Sequence, residues 1–204
     1  MGIIIQIDTF TGTAAHLISF LGNAPLVSIL VFILINHVLS GPMFVPLTVI
    51  CLIFAAFIPV ATVLLWSWRM KKIELDIPEK GDRPFLLVCV IISYGIGTII
   101  LYYLHAPWLV FGLMLCYCTN TLVVFIITLS WKISIHAMGV TGPATALAFA
   151  NVLPGFILGV LVLPVMWSRV YLHRHTVAQV LAGAFLGVFL TSVQLFLIQL
   201  RYGG

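Results

Sequence analysis

Two apolar runs, PLVSILVFILINHVL at residues 25–39 and PLTVICLIFAAFIPVATVLLW at residues 46–66, decide the solvent in which this chain folds. With the residues that flank them, they are long enough as helices to cross a hydrocarbon core of about 30 Å. The rest of the chain agrees: 63% of its residues are hydrophobic and only 7% charged, with a mean hydropathy of +1.25. A soluble domain carries roughly a quarter charged residues, so this chain cannot present an ordinary wet surface. It reads as an all-α, polytopic membrane helical bundle of six to seven transmembrane helices, one integral-membrane domain over residues 1–204.

The first residues, MGIIIQIDTF, lack the basic segment and small-residue cleavage site of a signal peptide, so the first span is expected to be retained. Cys51, Cys89, Cys116 and Cys118 lie inside apolar runs without a CxxC pair and read as small buried hydrophobes. The net charge of +4 suits anionic membrane lipids. No basic stripe with interleaved aromatics appears, so nucleic acid is not an expected partner.

Breaking residues divide the apolar sequence into spans. Residues 11–22 form either an interfacial helix or the start of a first span that runs to about Ser40, where Gly41 and Pro42 break it. Further spans are expected at about 44–68, 85–104 and 107–130, the first of these ending in the interfacial aromatics Trp66 and Trp68. Asn151, Pro154 and Gly155 supply a turn, which splits the next window into helices at about 137–150 and 155–172. A last span covers 176–199.

Two helices rather than one in that window have a consequence of parity. Segments 69–84, 131–136 and 173–175 then emerge on one membrane face. The first holds nine of the fourteen charged residues. Arg69, Lys71, Lys72, Lys80, Arg83, Lys132, Arg169 and Arg174 share that face and only Arg201 lies across, which by the positive-inside rule makes it cytoplasmic.

Three polar clusters therefore converge: Asp82 and Arg83, the run WKISIH at 131–136, and SRVYLHRHTVAQ at 168–179. Ionisable residues at a membrane span are costly and usually functional. Several cations and few carboxylates around His136 and His175 make an anion site, and a phosphate ester or diphosphate is the natural anion at a membrane surface. Phosphoryl oxygens favour planar multi-donor groups such as arginine. One neutral and one protonated histidine supply a nucleophile and an acid for the leaving oxygen. A haem held by His136 and His175 fits these cations less well.

Ser168-Arg169, five residues, then His175 resembles the third signature of the type-2 phosphatidic acid phosphatase superfamily, in its membrane lipid phosphatase branch. Leu181-Ala182-Gly183-Ala184 resembles the helix that follows. Ser134-x-His136 is similar to the second signature, P-S-G-H, and Arg83-Pro84 to the end of the first, K-x6-R-P. Order and spacing extend the resemblance over about residues 20–199. It implies a hydrolase for lipid phosphates (isoprenyl phosphates or diphosphates, or phosphatidate) that needs no metal and no cofactor. It implies that His175 forms a phosphohistidine, that His136 protonates the leaving group, and that Arg83, Ser134, Ser168 and Arg169 cradle the phosphoryl oxygens.

The chain departs from those signatures at named places. The lysine of the first falls at Asp76, with Lys132 as its replacement from another loop. The proline and glycine of the second are Ile133 and Ile135. The aspartate that orients the nucleophile in the third is Gln179, whose carbonyl can accept the Nδ1 proton of His175 but stabilises an imidazolium less than a carboxylate does. His173 and Arg174 have no counterpart role and read as a wet residue and a head-group contact. The other class of reading is a lipid-phosphate binding or scrambling protein on the same scaffold.

Overall fold

The computed structural model describes residues 2–70, 83–151 and 154–203, without the side chains of residues 2–9, 83, 154 and 156. Among the described residues the chain is all-α, with eight helices. Helix α1 (Gly2–Leu21) and α2 (Ala24–Leu39) meet at a 52° bend. Asn23 stands at the N-cap position of α2 and Pro25 in its first turn, so the chain restarts its hydrogen-bond ladder there. Gly41, at φ +46°, then opens α3, a rod over Gly41–Arg69. Helices α4 (Arg83–Tyr103), α5 (Trp108–Thr128), α6 (Ile135–Phe149), α7 (Pro154–Tyr171) and α8 (Val177–Tyr202) complete the order. The loop assignments at residues 71–82, Asp76 and Asp82 included, lie outside the described residues.

Rod α3 contains a π-helical segment, Ile53–Phe57, in which the Ile58 N–H reaches the Ile53 carbonyl. Pro59 has no N–H for the Ala55 carbonyl four residues back. Ser28 on α2 donates to that carbonyl at 3.2 Å, and Ser93 on α4 donates to Phe54 O at 2.8 Å. A bilayer offers no water for such groups, so neighbouring helices supply the donors.

Helices α3, α4, α5 and α8 are each long and apolar enough to cross a membrane, which makes four candidate spans, or five where the bent α1–α2 pair is counted as one. The chain is a multi-pass membrane protein. Helix α6 has fifteen residues, fewer than the ~20 of a lipid-facing span. Ten of them, from Ala137 to Leu147, are buried, because α2, α7 and α8 enclose this helix.

Glycines set that enclosure. A Cβ at Gly183 would collide with the Ser134 carbonyl, one at Gly187 with Thr141 Oγ1 and Met138 O, and one at Gly142 would lie 3.1 Å from Thr191 Oγ1. Contacts 183–134, 187–138 and 142–191 rise together in number, so α6 and α8 run parallel and α7 returns between them. Segments 131–136 and 173–175 therefore occupy the same end of the bundle; of the third segment expected there, residues 71–82 lie outside the described residues. Trp68, Trp131 and Trp167 are exposed at this end, and Trp167 stacks on Tyr171. At the other end Phe111 packs edge-on against Tyr102 and Tyr202.

Gly187→Val forces a branched side chain into the carbonyls of α6 and should lower the thermal midpoint of purified protein strongly, by an overpacking cost of at least about 1–3 kcal/mol. Gly12→Ala, where nothing lies within 4 Å of the added Cβ, should leave that midpoint unchanged or slightly raised.

Candidate functional site

The site is built where α7 ends and α8 begins. The last turn of α7 closes with Arg174 N–H on Arg169 O at 3.0 Å and His173 N–H on Val170 O at 3.0 Å. This is a Schellman closure. It places His173 at φ +53°, the left-handed position that glycine usually takes and that histidine tolerates better than most residues. His175 N–H also donates to Arg169 O, at 3.2 Å.

One residue later Thr176 caps α8. Its hydroxyl accepts from Gln179 N–H at 3.3 Å, while Gln179 Oε1 accepts from Thr176 N–H at 3.0 Å, a reciprocal capping box. The same Oε1 lies 3.2 Å from Nδ1 of His175. An amide oxygen already facing a backbone N–H can only accept, so Nδ1 carries a proton, and in the neutral ring the lone pair is then on Nε2. His175 is 7% exposed.

Helix α6 begins beside this turn. Ser134 N–H donates to the Gln179 carbonyl at 3.3 Å, and the Ser134 hydroxyl caps its own helix, accepting from Ala137 N–H at 3.3 Å. The run 131–136 and the run 168–179 are therefore joined by backbone as well as by packing. Arg169, 4% exposed, donates from Nη1 to the Ser19 hydroxyl at 2.7 Å. That bond ties α7 to α1 across 150 positions of sequence.

A cavity of about 420 Å³ opens among these elements. Lys132, His136, Arg169, Arg174 and His175 line the end of it where α6 and α8 begin. Below them the lining turns apolar, with Leu86, Val90 and Leu113 among it, and ends near Tyr94, Tyr117, Asn120 and Thr191. His136 is half-buried; Lys132, His173 and Arg174 are exposed.

Of the residues assigned from sequence, the structure brings His136, His175, Lys132 and Arg169 to one cavity, with Gln179 directly behind His175. Ser134 and Ser168 are fully buried and do not line it. The Ser168 hydroxyl turns back on its own helix, donating to Val165 O at 2.7 Å, so the cradle role expected for it is not what its geometry offers. The Ser134 hydroxyl accepts from Ala137 N–H as the N-cap of α6. Arg83 starts α4, and its side chain lies outside the described residues. His16, His37 and His105 are exposed and are not among the residues that line the cavity. Among the described residues no group of three His, Cys, Asp or Glu side chains converges as a metal site.

Two features went unread in the sequence. Ser19 gave no local signal for a partner at position 169. The sequence TVAQ before an apolar run does carry the capping-box pattern, and that pattern accounts for Gln179 independently of any orienting role. No protein-family model, curated protein or solved structure matches the chain.

Thr176→Ala removes one half of the capping box and should cost about 1 kcal/mol of stability. The loss is measurable as a lower thermal midpoint, and it should be accompanied by a changed His175 ring resonance in NMR spectra, because Gln179 loses its anchor.

Proposed function

We propose that the protein is a membrane phosphatase that hydrolyses a lipid phosphate or diphosphate through a phosphohistidine on His175. The observation that carries this reading is one cavity lined both by two histidines and three cations, which cluster where α6 and α8 begin, and by apolar side chains. The cationic end suits an anion and the apolar lining suits a hydrocarbon chain. Helices α6 and α8 both begin at this end, and helix N-termini favour negative charge.

In the proposed reaction Nε2 of His175 attacks phosphorus as the P–O bond to the lipid breaks. Imidazolium of His136 gives its proton to the departing oxygen, and Arg169 with Lys132 holds the equatorial oxygens as charge spreads over them. Water then attacks the phosphohistidine, His136 accepts a proton, and the P–N bond breaks to release phosphate and restore neutral His175. The acceptor oxygen of Gln179 keeps the attacking ring in one tautomer throughout. Isoprenyl phosphates or diphosphates and phosphatidate are the candidate substrates.

Topology completes the reading. If α6 and α7 each cross, α2 through α8 make seven crossings and α1 lies at the interface on the side of the site. Arg69, Lys132, Arg169 and Arg174 then mark that side as cytoplasmic.

The second reading, a lipid-phosphate binding or scrambling protein with weak or no turnover, is favoured by one observation. An amide rather than a carboxylate stands behind His175.

Phosphate release from a panel of lipid phosphates separates the two. Under the phosphatase reading His175→Ala abolishes release from every lipid, and His136→Ala lowers it by about 10²–10⁴. Turnover retained in His175→Ala defeats the phosphatase; lipid-phosphate binding without release in the wild type selects the second reading. Gln179→Glu, which keeps both acceptor bonds and adds a charge beside the imidazolium, should keep or raise the rate. Gln179→Asp supplies the same charge on a shorter side chain, so it should gain less.

A further inference from the structure

Several polar contacts join the helices of this bundle. Ser28 donates to the Ala55 carbonyl at 3.2 Å, Asn36 Nδ2 donates to Cys51 Sγ at 3.8 Å, and Gln194 Nε2 donates to Asn120 Oδ1 at 2.8 Å. Each of these pairs two neutral groups, and satisfying them inside lipid is reason enough for the contact. The bond from Arg169 Nη1 to Ser19 Oγ, at 2.7 Å, is of another kind. One partner is a permanent cation, and that cation lines the cavity.

Both ends of this bond are buried. The end of α1 meets α7 in an antiparallel register: Ser19 faces Arg169, and Gly22, just past the helix, faces Val165 about one turn away. A Cβ at Gly22 would collide with Val165 Cγ2, so a glycine there is what lets α1 approach. Phe20, between the two, lines the cavity. The end of α1 thus has one side on α7 and another on the cavity.

The backbone of Arg169 is fixed by α7 and by the N–H groups of Arg174 and His175, both of which its carbonyl accepts. Ser19 does for the side chain what they do for the main chain. A guanidinium is a planar fork of N–H donors on a long flexible stem, and fixing one terminal nitrogen restricts the plane and the direction of the other donors. The kind of acceptor matters too. A carboxylate would hold the fork more strongly, but it would cancel the charge and compete with an anion for the same donors. A serine hydroxyl orients the guanidinium and leaves its charge whole. Outside residues 71–82 the sequence has one acidic side chain, Asp8, so among the described side chains Arg169 has no carboxylate to pair with.

We propose that Ser19 is a positioning residue, whose hydroxyl orients the Arg169 guanidinium for a phosphoryl group and so makes α1 part of the site. The inference rests on the phosphate reading of the cavity. Ser19 does not line the cavity and acts through Arg169. Held in advance, the guanidinium meets the charge that spreads over the phosphoryl oxygens without reorganising. Loss of the hydroxyl therefore lowers kcat more than it raises KM.

The test measures phosphate release, the affinity for inorganic phosphate by calorimetry, and the thermal midpoint on purified full-length protein. Ser19→Ala should lower kcat about tenfold, the scale of one hydrogen bond to a charged group, and weaken phosphate binding about threefold. Ser19→Thr keeps the hydroxyl and should recover most of the rate. Gly22→Ala keeps Ser19 but pushes α1 from α7, so it should lower kcat in the same direction and serves where Ser19→Ala is too unstable to purify. Ser28→Ala loses a buried serine hydroxyl that does not line the cavity; it should lower the midpoint and leave kcat unchanged. Wild-type kcat and phosphate affinity in Ser19→Ala overturn the positioning role and leave the phosphatase standing. Equal losses of kcat in Ser19→Ala and Ser28→Ala also overturn it, since the effect is then only structural. Phosphate binding without release from lipid in the wild type, weakened in Ser19→Ala, keeps the positioning role and removes the phosphatase. Neither binding nor release in the wild type overturns both.

Discussion

The approach of α6 to α8 governs where everything else in this bundle can be. Gly183 and Gly187 leave no side chain between the two helices, so the Ser134 carbonyl and the Thr141 hydroxyl rest on bare backbone. Ser134 N–H, which would otherwise be an orphan at the start of a buried helix, is taken by the Gln179 carbonyl. Because the pair is parallel, the chain must return through α7 before α8 starts. The end of α7 then arrives beside the start of α6, bringing Arg169 and His175 to Lys132 and His136. One packing contact, made possible by two missing side chains, thus fixes the meeting of two polar clusters more than thirty residues apart.

The bilayer explains how those clusters are held. Inside lipid each polar group must find its partner within the protein, and here each partner also orients something. Pro59 frees the Ala55 carbonyl, and Ser28 reaches across from α2 to take it. Arg169 is almost wholly buried, and Ser19 takes one of its donors. The left-handed turn at His173 satisfies the last carbonyls of α7 and hands the chain directly to the Thr176 cap. No residue of the turn 172–176 is placed by a side-chain contact alone, which gives the His175 ring a defined position on a segment that would otherwise be an ordinary interhelical loop.

Much of this was legible before any coordinates. Helix ends at Leu39, Arg69, Tyr103 and Thr128 fall within a few residues of where Gly41, the charged run after Trp68, Pro107 and the polar run at 130–136 place them, because apolar runs must end where water begins. The pair α6 and α7 was legible through Asn151 and Gly155, although α6 is shorter than a lipid-facing span; its small residues let it bury instead. The direction of the Ser168 hydroxyl was not legible, because sequence adjacency to Arg169 says nothing about it. On a helix its hydroxyl had a carbonyl three residues back within reach. The bond from Arg169 to Ser19 had no local signature at all. Asn120 and Gln194 did have one, as amides inside apolar spans, and were passed over because neither belongs to a cationic cluster.

Gln179 gathers these threads. By resemblance alone it is a defect, an amide where an orienting carboxylate is expected. By local geometry it is the third helical residue of a capping box, and Gln or Glu is the residue type that such a box requires. Aspartate at this position, one carbon shorter, would strain to reach both the Thr176 N–H and His175. The amide therefore does two tasks with one oxygen. It completes the start of α8, on which α6 is docked, and it accepts from Nδ1, which in the neutral ring leaves the lone pair on Nε2. What it omits is the negative charge that would draw the histidine towards imidazolium. Under the proposed phosphate chemistry, with Lys132, Arg169 and Arg174 lining the same cavity, that omission leaves the positive potential there undiminished for a phosphate, at the expense of stabilising charge on the ring as phosphorus departs. On that reading an amide at position 179 favours binding over turnover without disturbing the fold that presents it.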